Sequence, residues 1–461
     1  MAIIGAYAMP HPPLAIPGVG RGQENGISKT LSAFDEAAAE IAGLSPETIV
    51  FITPHNVIYS DYFHISPGAS ASGDFARFRD TKTRLEAIYD EELASEIARL
   101  AGENGIPAGG MGERDAKLDH GVAVPMWFIN NRCTNYKTVR ISQSGMDPAE
   151  HYRFGRLISE AAEGTGRRTV LLASSDMSHK LKSDGPYGYA PEGPEFDGIV
   201  SEALSKGDFL TIMKIPASLR EGAAECGYNS LMVLAGCFDR QRVKARLLSY
   251  EGPYGVGYAV ASFAPGGYDE SRNMLDKFFE VSLQDARDKQ NTEDDYRSLA
   301  RRSLEYTVKR GGELPLPDGL PDEMLEDRAG VFVSLHKNGR LRGCIGTISP
   351  VTENIAYEII RNAISAGLRD TRFEPVTVSE LPYLTYKVDI LSAAEPISSP
   401  GELDVKRYGV IVSNGRKRGL LLPNLDGIST VEEQIAIARQ KADISENAPI
   451  KLERFEVIRH E

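Results

Sequence analysis

Four of the eight histidines in this 461-residue chain sit in tight, proline- or glycine-marked surroundings. They are His11 in P-H-P-P-L, His55 in T-P-H-N, His120 in L-D-H-G-V-A-V-P and His179 in S-S-D-M-S-H. Prolines fix φ, withhold a backbone donor and push the preceding residue out of the helical region. Pro10, Pro12 and Pro13 therefore predict a stiff, extended loop that holds His11 in place. An imidazole fixed in that way suits metal ligation or proton transfer. One carboxylate competes for the same chemistry: Glu225 in A-E-C-G, with Cys226 beside it. Two histidines and a carboxylate make the facial set of a non-haem Fe(II) centre, with positions left open for O2 and a bidentate substrate. The remaining histidines would then act as acid, base or orienting groups. From spacing alone, a shared metal site and four separate structural histidines are both open.

The elements that must position these residues follow from the apolar pattern. A-I-I-G-A-Y-A before His11, T-I-V-F-I-T before His55, T-V-R-I-S at 138–142 and T-V-L-L-A-S before Asp176 read as buried strands. Helical spacing over 27–42, 91–101 and 149–163 places helices between them, and another is predicted over 230–237. Strands at 243–250 and 255–263 close this half. Alternating strands and helices predict an α/β fold: a mixed sheet flanked by helices. Ligands collect at the carboxyl ends of strands in such sheets, where His11, His55 and His179 would emerge. His120 is expected in a loop, where Gly121 permits close backbone approach.

Bulk properties limit the alternatives. The length predicts two to four domains. A net charge of −13 argues against nucleic acid or an anionic membrane as the main partner. The four cysteines form no CxxC pair, which fits a reducing compartment, and no apolar run approaches a membrane span. The start lacks a basic n-region and carries too short an apolar run for a signal sequence, so a cytoplasmic location is expected. Composition changes after Phe263. The predicted division is 1–265 for the metal-site half, 266–293 as a charged, helix-prone connector, and 294–461 for a smaller α+β half.

The stretches 10–14, 53–56, 118–125, 174–179 and 224–227 together resemble the class III, LigB-like extradiol dioxygenases and the related Memo family. The D-H-G-x-x-V-P and S-S-D-x-x-H stretches are the most specific, and the resemblance spans about 1–265. It implies His11 and His55 as metal ligands, Glu225 as the carboxylate ligand and His179 as the acid/base. It further implies His120 either behind the metal ligands or beside the substrate, and Asp176 orienting the His179 loop. Fe(II) is the implied metal, and zinc is the alternative if Cys226 supplies the third ligand, since a thiolate suits zinc. The implied substrate is a small catechol-like or phenolic molecule, ring-opened by O2. Tyr228 and Tyr258 are pocket candidates, although tyrosines so placed are more often core residues.

The second half carries its own signals. V-F-V-S-L-H-K-N-G-R-L-R-G-C-I-G predicts a hairpin turning at Asn338-Gly339. Leu299 to Lys309 and 431–442 predict helices. L-R-G-C-I-G and D-T-R-F-E-P resemble the AMMECR family over about 294–461, and make Arg342, Cys344, Asp370, Arg372 and Phe373 candidate functional residues. Cys344 is read equally as a nucleophile or as a small residue in a tight strand crossing. His336 is expected to be solvated. A LigB/Memo-like half joined to an AMMECR-like half resembles the AmmeMemoRadiSam arrangement, which implies a radical-SAM protein as partner. This chain has no C-x-x-x-C-x-x-C motif of its own. Such a partner implies low oxygen, which leaves open a non-oxidative metal-dependent reaction, or a non-catalytic metal-binding scaffold. A homodimer is expected of the class.

Overall fold

The computed structural model describes residues 2–112, 117–425 and 427–461. The chain divides into two compact units, Met1–Phe279 and Glu280–Glu461. The division falls inside a helix, Met274–Asn291, which occupies the charged stretch expected to connect the halves.

In the first unit six strands form one sheet: β1 (Ile3–Met9), β2 (Thr48–Thr53), β3 (Lys137–Ser142), β4 (Thr169–Ser174), β5 (Gln241–Glu251) and β6 (Tyr258–Tyr268). Their order is β3-β2-β4-β1-β6-β5. β1 to β4 run parallel, whereas β6 pairs antiparallel with both β1 and β5. Every residue of β2 and β4 is buried, the continuous apolar run expected of strands covered on both faces. Their alternation divides the core. Val50, Ile52, Leu171 and Ala173 face one cluster, with helices Glu91–Glu103, Pro148–Gly164, Glu192–Lys206 and Tyr228–Cys237. Ile49, Phe51, Val170 and Leu172 face the other, with helices Ser28–Leu44 and His120–Asn130.

The connectivity has one functional consequence. β4 lies between β1 and β2, so the loops after β1, β2 and β4 leave the same rim side by side. His11, His55 and the Asp176–His179 turn occupy those loops.

One expectation fails locally. The 118–125 stretch is not a loop around His120. Asp119 caps a helix whose first residue is His120, its carboxylate accepting from the Val122 N–H. Gly121 suggested a loop, but it is the helix's second residue, and Pro125 lies inside the same helix, where its missing N–H leaves the Gly121 carbonyl without its usual helical donor.

The second unit holds two four-stranded sheets. In the first, Gly330–Lys337 pairs antiparallel with Arg340–Gly346 and with Leu384–Leu391. Helices Asp295–Arg310 and Ile355–Leu368 contribute to its core. The hairpin turns at Asn338 (φ 53°) and Gly339 (φ 76°), the left-handed pair that an Asn-Gly turn supplies. Helix Val431–Lys441 packs on the second sheet. His336, expected to be solvated, is half-buried within the strand Gly330–Lys337, and burial lowers its pKa to about 4.

No helix among the described residues is long and apolar enough to cross a membrane.

Candidate metal centre

At the carboxyl rim of the sheet, ligand atoms of His11, His55 and Cys226 all lie within 4.8 Å of one another. The Nε2 atoms of His11 and His55 are 3.0 Å apart. Cys226 Sγ is 3.6 Å from His11 Nε2. Two imidazole nitrogens facing each other at this distance need either a shared proton or a cation between them. His11 is 1% exposed, and its pKa lies well below the usual value, first through burial and then through His55, His120 and His179 around it. A neutral imidazole offers a lone pair, as metal ligation requires.

Each member is held by the loop that delivers it. The His11 N–H donates to Asp176 Oδ1 at 2.7 Å, joining the loops after β1 and β4. His11 Nδ1 meets Ser174 Oγ, the last side chain of β4, at 2.8 Å. The His55 N–H donates to Thr53 Oγ1, and the Thr53 hydroxyl donates to Asp119. Cys226 lies just before the helix Tyr228–Cys237. Its carbonyl accepts from Gln143 Nε2 at 2.9 Å, and the same amide donates to Ser230. Gly227 is required here: a Cβ would sit 2.5 Å from the Ser175 Cβ and 2.7 Å from the Asp176 carbonyl.

The side chain that meets the two imidazoles is Cys226, where the carboxylate pattern had pointed to Glu225. Glu225 Oε2 accepts the Tyr228 N–H at 2.6 Å, spending its charge on an orphan donor at a helix start. Cys226, the next residue, points at His11 instead. Burial raises the Cys226 thiol well above its ordinary pKa, with Asp176 and Glu225 adding to the rise. Ionising this thiol requires a nearby cation, the service a bound metal performs.

Two further histidines join the group. His120 stacks on His55 with ring centroids 4.0 Å apart and lies 5.5 Å from His11. Phe78 meets its ring edge-on. Burial lowers the His120 pKa to about 3 and that of His179 to about 4, with His55 contributing to both. His179 stacks on the exposed Tyr187 at 5.0 Å, and its N–H donates to the Ala223 carbonyl. Asp176 is buried, which pushes its carboxyl up to about 7, and its Oδ2 lies 3.7 Å from His11 Nε2. Tyr228 belongs to the core, its hydroxyl donating to the Met213 carbonyl. Tyr258 is 3% exposed and packs in the other core cluster.

Ser174 and Gln143 escaped the sequence reading. Both stand at the carboxyl end of a parallel strand, a positional signal that becomes readable only when strand order is known.

A sequence model of the family described as the catalytic LigB subunit of aromatic ring-opening dioxygenase matches residues 5–261. The chain belongs to this family. In this LigB-family protein, residues 297–460 match the AMMECR1 family, so the chain joins the two. A protein of Clostridium acetobutylicum is 42% identical over 469 residues, covering 100% of this chain and 99% of the relative. A Thermotoga maritima protein is 47% identical over 167 residues, covering 36% of this chain and 96% of its own length. Among solved structures, an uncharacterized Pyrococcus horikoshii protein shares 32% identity over 36% of this chain and 88% of its own, with a TM-score of 0.33. An uncharacterized Escherichia coli K12 protein shares 13% identity over 56% of this chain and 99% of its own, with a TM-score of 0.39.

In the AMMECR1 half, the residues singled out from L-R-G-C-I-G and D-T-R-F come together. Asp370 Oδ2 accepts the Cys344 N–H at 2.9 Å, and Arg372 pairs with Asp370 while donating to the Cys344 carbonyl. Ser334 Oγ is 3.1 Å from Cys344 Sγ across the hairpin. Burial raises the Cys344 thiol. Arg342 pairs with Glu380, and Phe373 lies beneath both Arg342 and Arg372. Cys344 is thus a half-buried thiol pinned through its backbone.

Proposed function

We propose that the LigB half is a metal-dependent enzyme acting on a catechol-like or phenolic small molecule, with His11, His55 and Cys226 holding one divalent transition-metal ion. The observation that carries this reading is the convergence of two imidazole nitrogens and a thiol at the sheet rim, in a family described as ring-opening dioxygenases. The donor set suits such an ion: His and Cys are first-row metal ligands, and three protein ligands leave positions open. Bound there, the ion would supply Lewis-acid binding of an aromatic hydroxylate and, as Fe(II), the redox capacity for ring opening with O2.

The chain's own residues would do the rest. Burial keeps His179 and His120 neutral, so each can offer a ring lone pair to a substrate hydroxyl. His179 is our candidate base, and its ring packs on the exposed Tyr187. Phe78 and Tyr187 offer aromatic faces for a planar ring. The burial of His11 favours a reaction site over a solvent-open binding scaffold.

Cys226 supports a second reading. A thiolate in place of the carboxylate of the Fe(II) facial triad suits zinc, and with it non-oxidative chemistry on the same kind of substrate. This agrees with the low-oxygen setting that a radical-SAM partner would imply. The experiment purifies the chain anaerobically, loads it with Fe(II) or Zn(II), and incubates it with catechols with and without O2. Gas uptake by the iron form alone supports ring opening, and turnover without O2 supports the second reading. Full metal occupancy in both His11→Ala and His55→Ala variants would remove the site from consideration.

A further inference from the structure

Ser174 has one hydroxyl hydrogen, and its geometry shows where that hydrogen goes. Its Oγ lies 2.6 Å from the Gly121 carbonyl, to which it donates, and 2.8 Å from His11 Nδ1. A carbonyl has no hydrogen to give. The hydroxyl hydrogen is therefore committed to Gly121, and Ser174 Oγ can meet His11 only as an acceptor. His11 must then carry its proton on Nδ1, which leaves the Nε2 lone pair facing His55 and Cys226.

The Gly121 carbonyl is available for a structural reason. Gly121 is the second residue of the helix His120–Asn130, and its carbonyl would ordinarily accept the N–H of residue 125. Residue 125 is proline and has no N–H. The proline withholds the usual helical donor from this carbonyl, and the serine at the end of β4 donates to it. Gly121 also has no side chain to obstruct the approach: a Cβ there would meet Ser174 Oγ at 3.2 Å and collide with the Thr53 hydroxyl.

We propose that Pro125, through the Gly121 carbonyl and the Ser174 hydroxyl, fixes the Nδ1-protonated form of His11 and so aims its Nε2 lone pair at the metal position. Pro125 and Ser174 are positioning residues, and neither lies among the converging ligands. The inference rests on the metal-centre reading for its purpose, but the proton's position is a property of the metal-free chain.

The test labels histidines with 15N in the full-length, metal-free protein and records long-range 1H–15N correlations, which distinguish a protonated from an unprotonated ring nitrogen. His11→Ala assigns the signal. The wild type should show His11 Nδ1 protonated and Nε2 bare. Pro125→Ala adds a competing backbone donor at the Gly121 carbonyl, weakens the hold of that carbonyl on the Ser174 hydrogen, and should shift the His11 proton toward Nε2. Ser174→Ala should remove the preference, and Pro125→Ala combined with Ser174→Ala should behave as Ser174→Ala alone. In parallel, Co(II) and Zn(II) titrations should show each single variant binding about 10- to 100-fold more weakly, the effect typical of losing the partner of a ligating histidine. An unchanged His11 pattern in Pro125→Ala overturns the relay, as does a wild-type pattern with Nδ1 bare. If the pattern shifts as expected but the wild type binds neither metal, the relay stands and the metal-centre reading falls.

Discussion

Cys226 Sγ lies 3.6 Å from His11 Nε2 across 215 residues of sequence, while the neighbouring Glu225 carboxylate turns to accept the Tyr228 N–H. Two adjacent residues, each a candidate ligand in the sequence, thus turn to different partners. Cys226→Ala should lower metal occupancy by at least about tenfold with little change in stability, whereas Glu225→Ala should keep the metal and lose about 1 kcal/mol with its helix-start hydrogen bond. Metal analysis beside thermal unfolding separates the two. Metal loss in the Glu225 variant with retention in the Cys226 variant would reverse the assignment.

Gly121 is packed beneath Thr53, Asp119 and Ser174, the groups that orient His11, His55 and His120. A methyl added there has nowhere to go. Gly121→Ala should cost about 1–3 kcal/mol, as overpacking does, and should displace His120 from its stack on His55. Histidine ring signals in the NMR spectrum report the second effect. A variant as stable as the wild type with unmoved signals would contradict the packing.

Asp197 is fully buried. Its carboxylate accepts from the Ser178 N–H and the Tyr250 hydroxyl, both at 2.7 Å, yet burial pushes its pKa up to about 7. A carboxyl whose folded pKa is raised stabilises fully below its unfolded value, near 4, and loses that contribution as pH rises through about 7. Asp197→Asn carries no such dependence. The stability of the variant relative to the wild type should therefore increase from pH 4 to pH 7, measured as the difference in denaturant midpoint. A constant difference over that range would refute the shift.

In the AMMECR1 half the sign is opposite. The Arg372 guanidinium, together with the Cys344 and Arg372 backbone N–H groups, holds Asp370 well below the usual carboxylate range. Its contribution is present above the unfolded pKa, near 4, and is lost as pH falls through the folded value. Asp370→Asn should destabilise by about 1–2 kcal/mol at pH 7, with the penalty shrinking below pH 4. Hydrogen exchange of the Arg340–Gly346 strand at the two pH values measures it, and equal protection in variant and wild type at pH 7 would count against the ion pair.

Much of this protein was legible in its residues. Buried strands announced themselves as unbroken apolar runs, as in T-I-V-F-I-T, because a strand covered on both faces needs no polar alternation. The helix read at 149–163 appears as Pro148–Gly164, and the Asn-Gly turn fell where its left-handed preference requires. His11 and His55 were identifiable because proline and strand ends fix residues locally. The helix starting at His120 was misread because Gly121 and Pro125 look like breakers when their position within a helix is unknown.

Sequence by itself determined the two-part architecture, the strands and most helices, and the histidines gathered at strand ends, since these depend on local propensity and apolar period. Tertiary structure alone decided which side chain meets the two imidazoles. Glu225 and Cys226 differ by one residue, and only the Tyr228 N–H on one side and the His11 ring on the other distinguish their directions. It also decided the proton on His11, which depends on a proline, a carbonyl and a serine brought together from distant segments. Such contacts are set by strand order, with β4 inserted between β1 and β2, and no local pattern encodes that order.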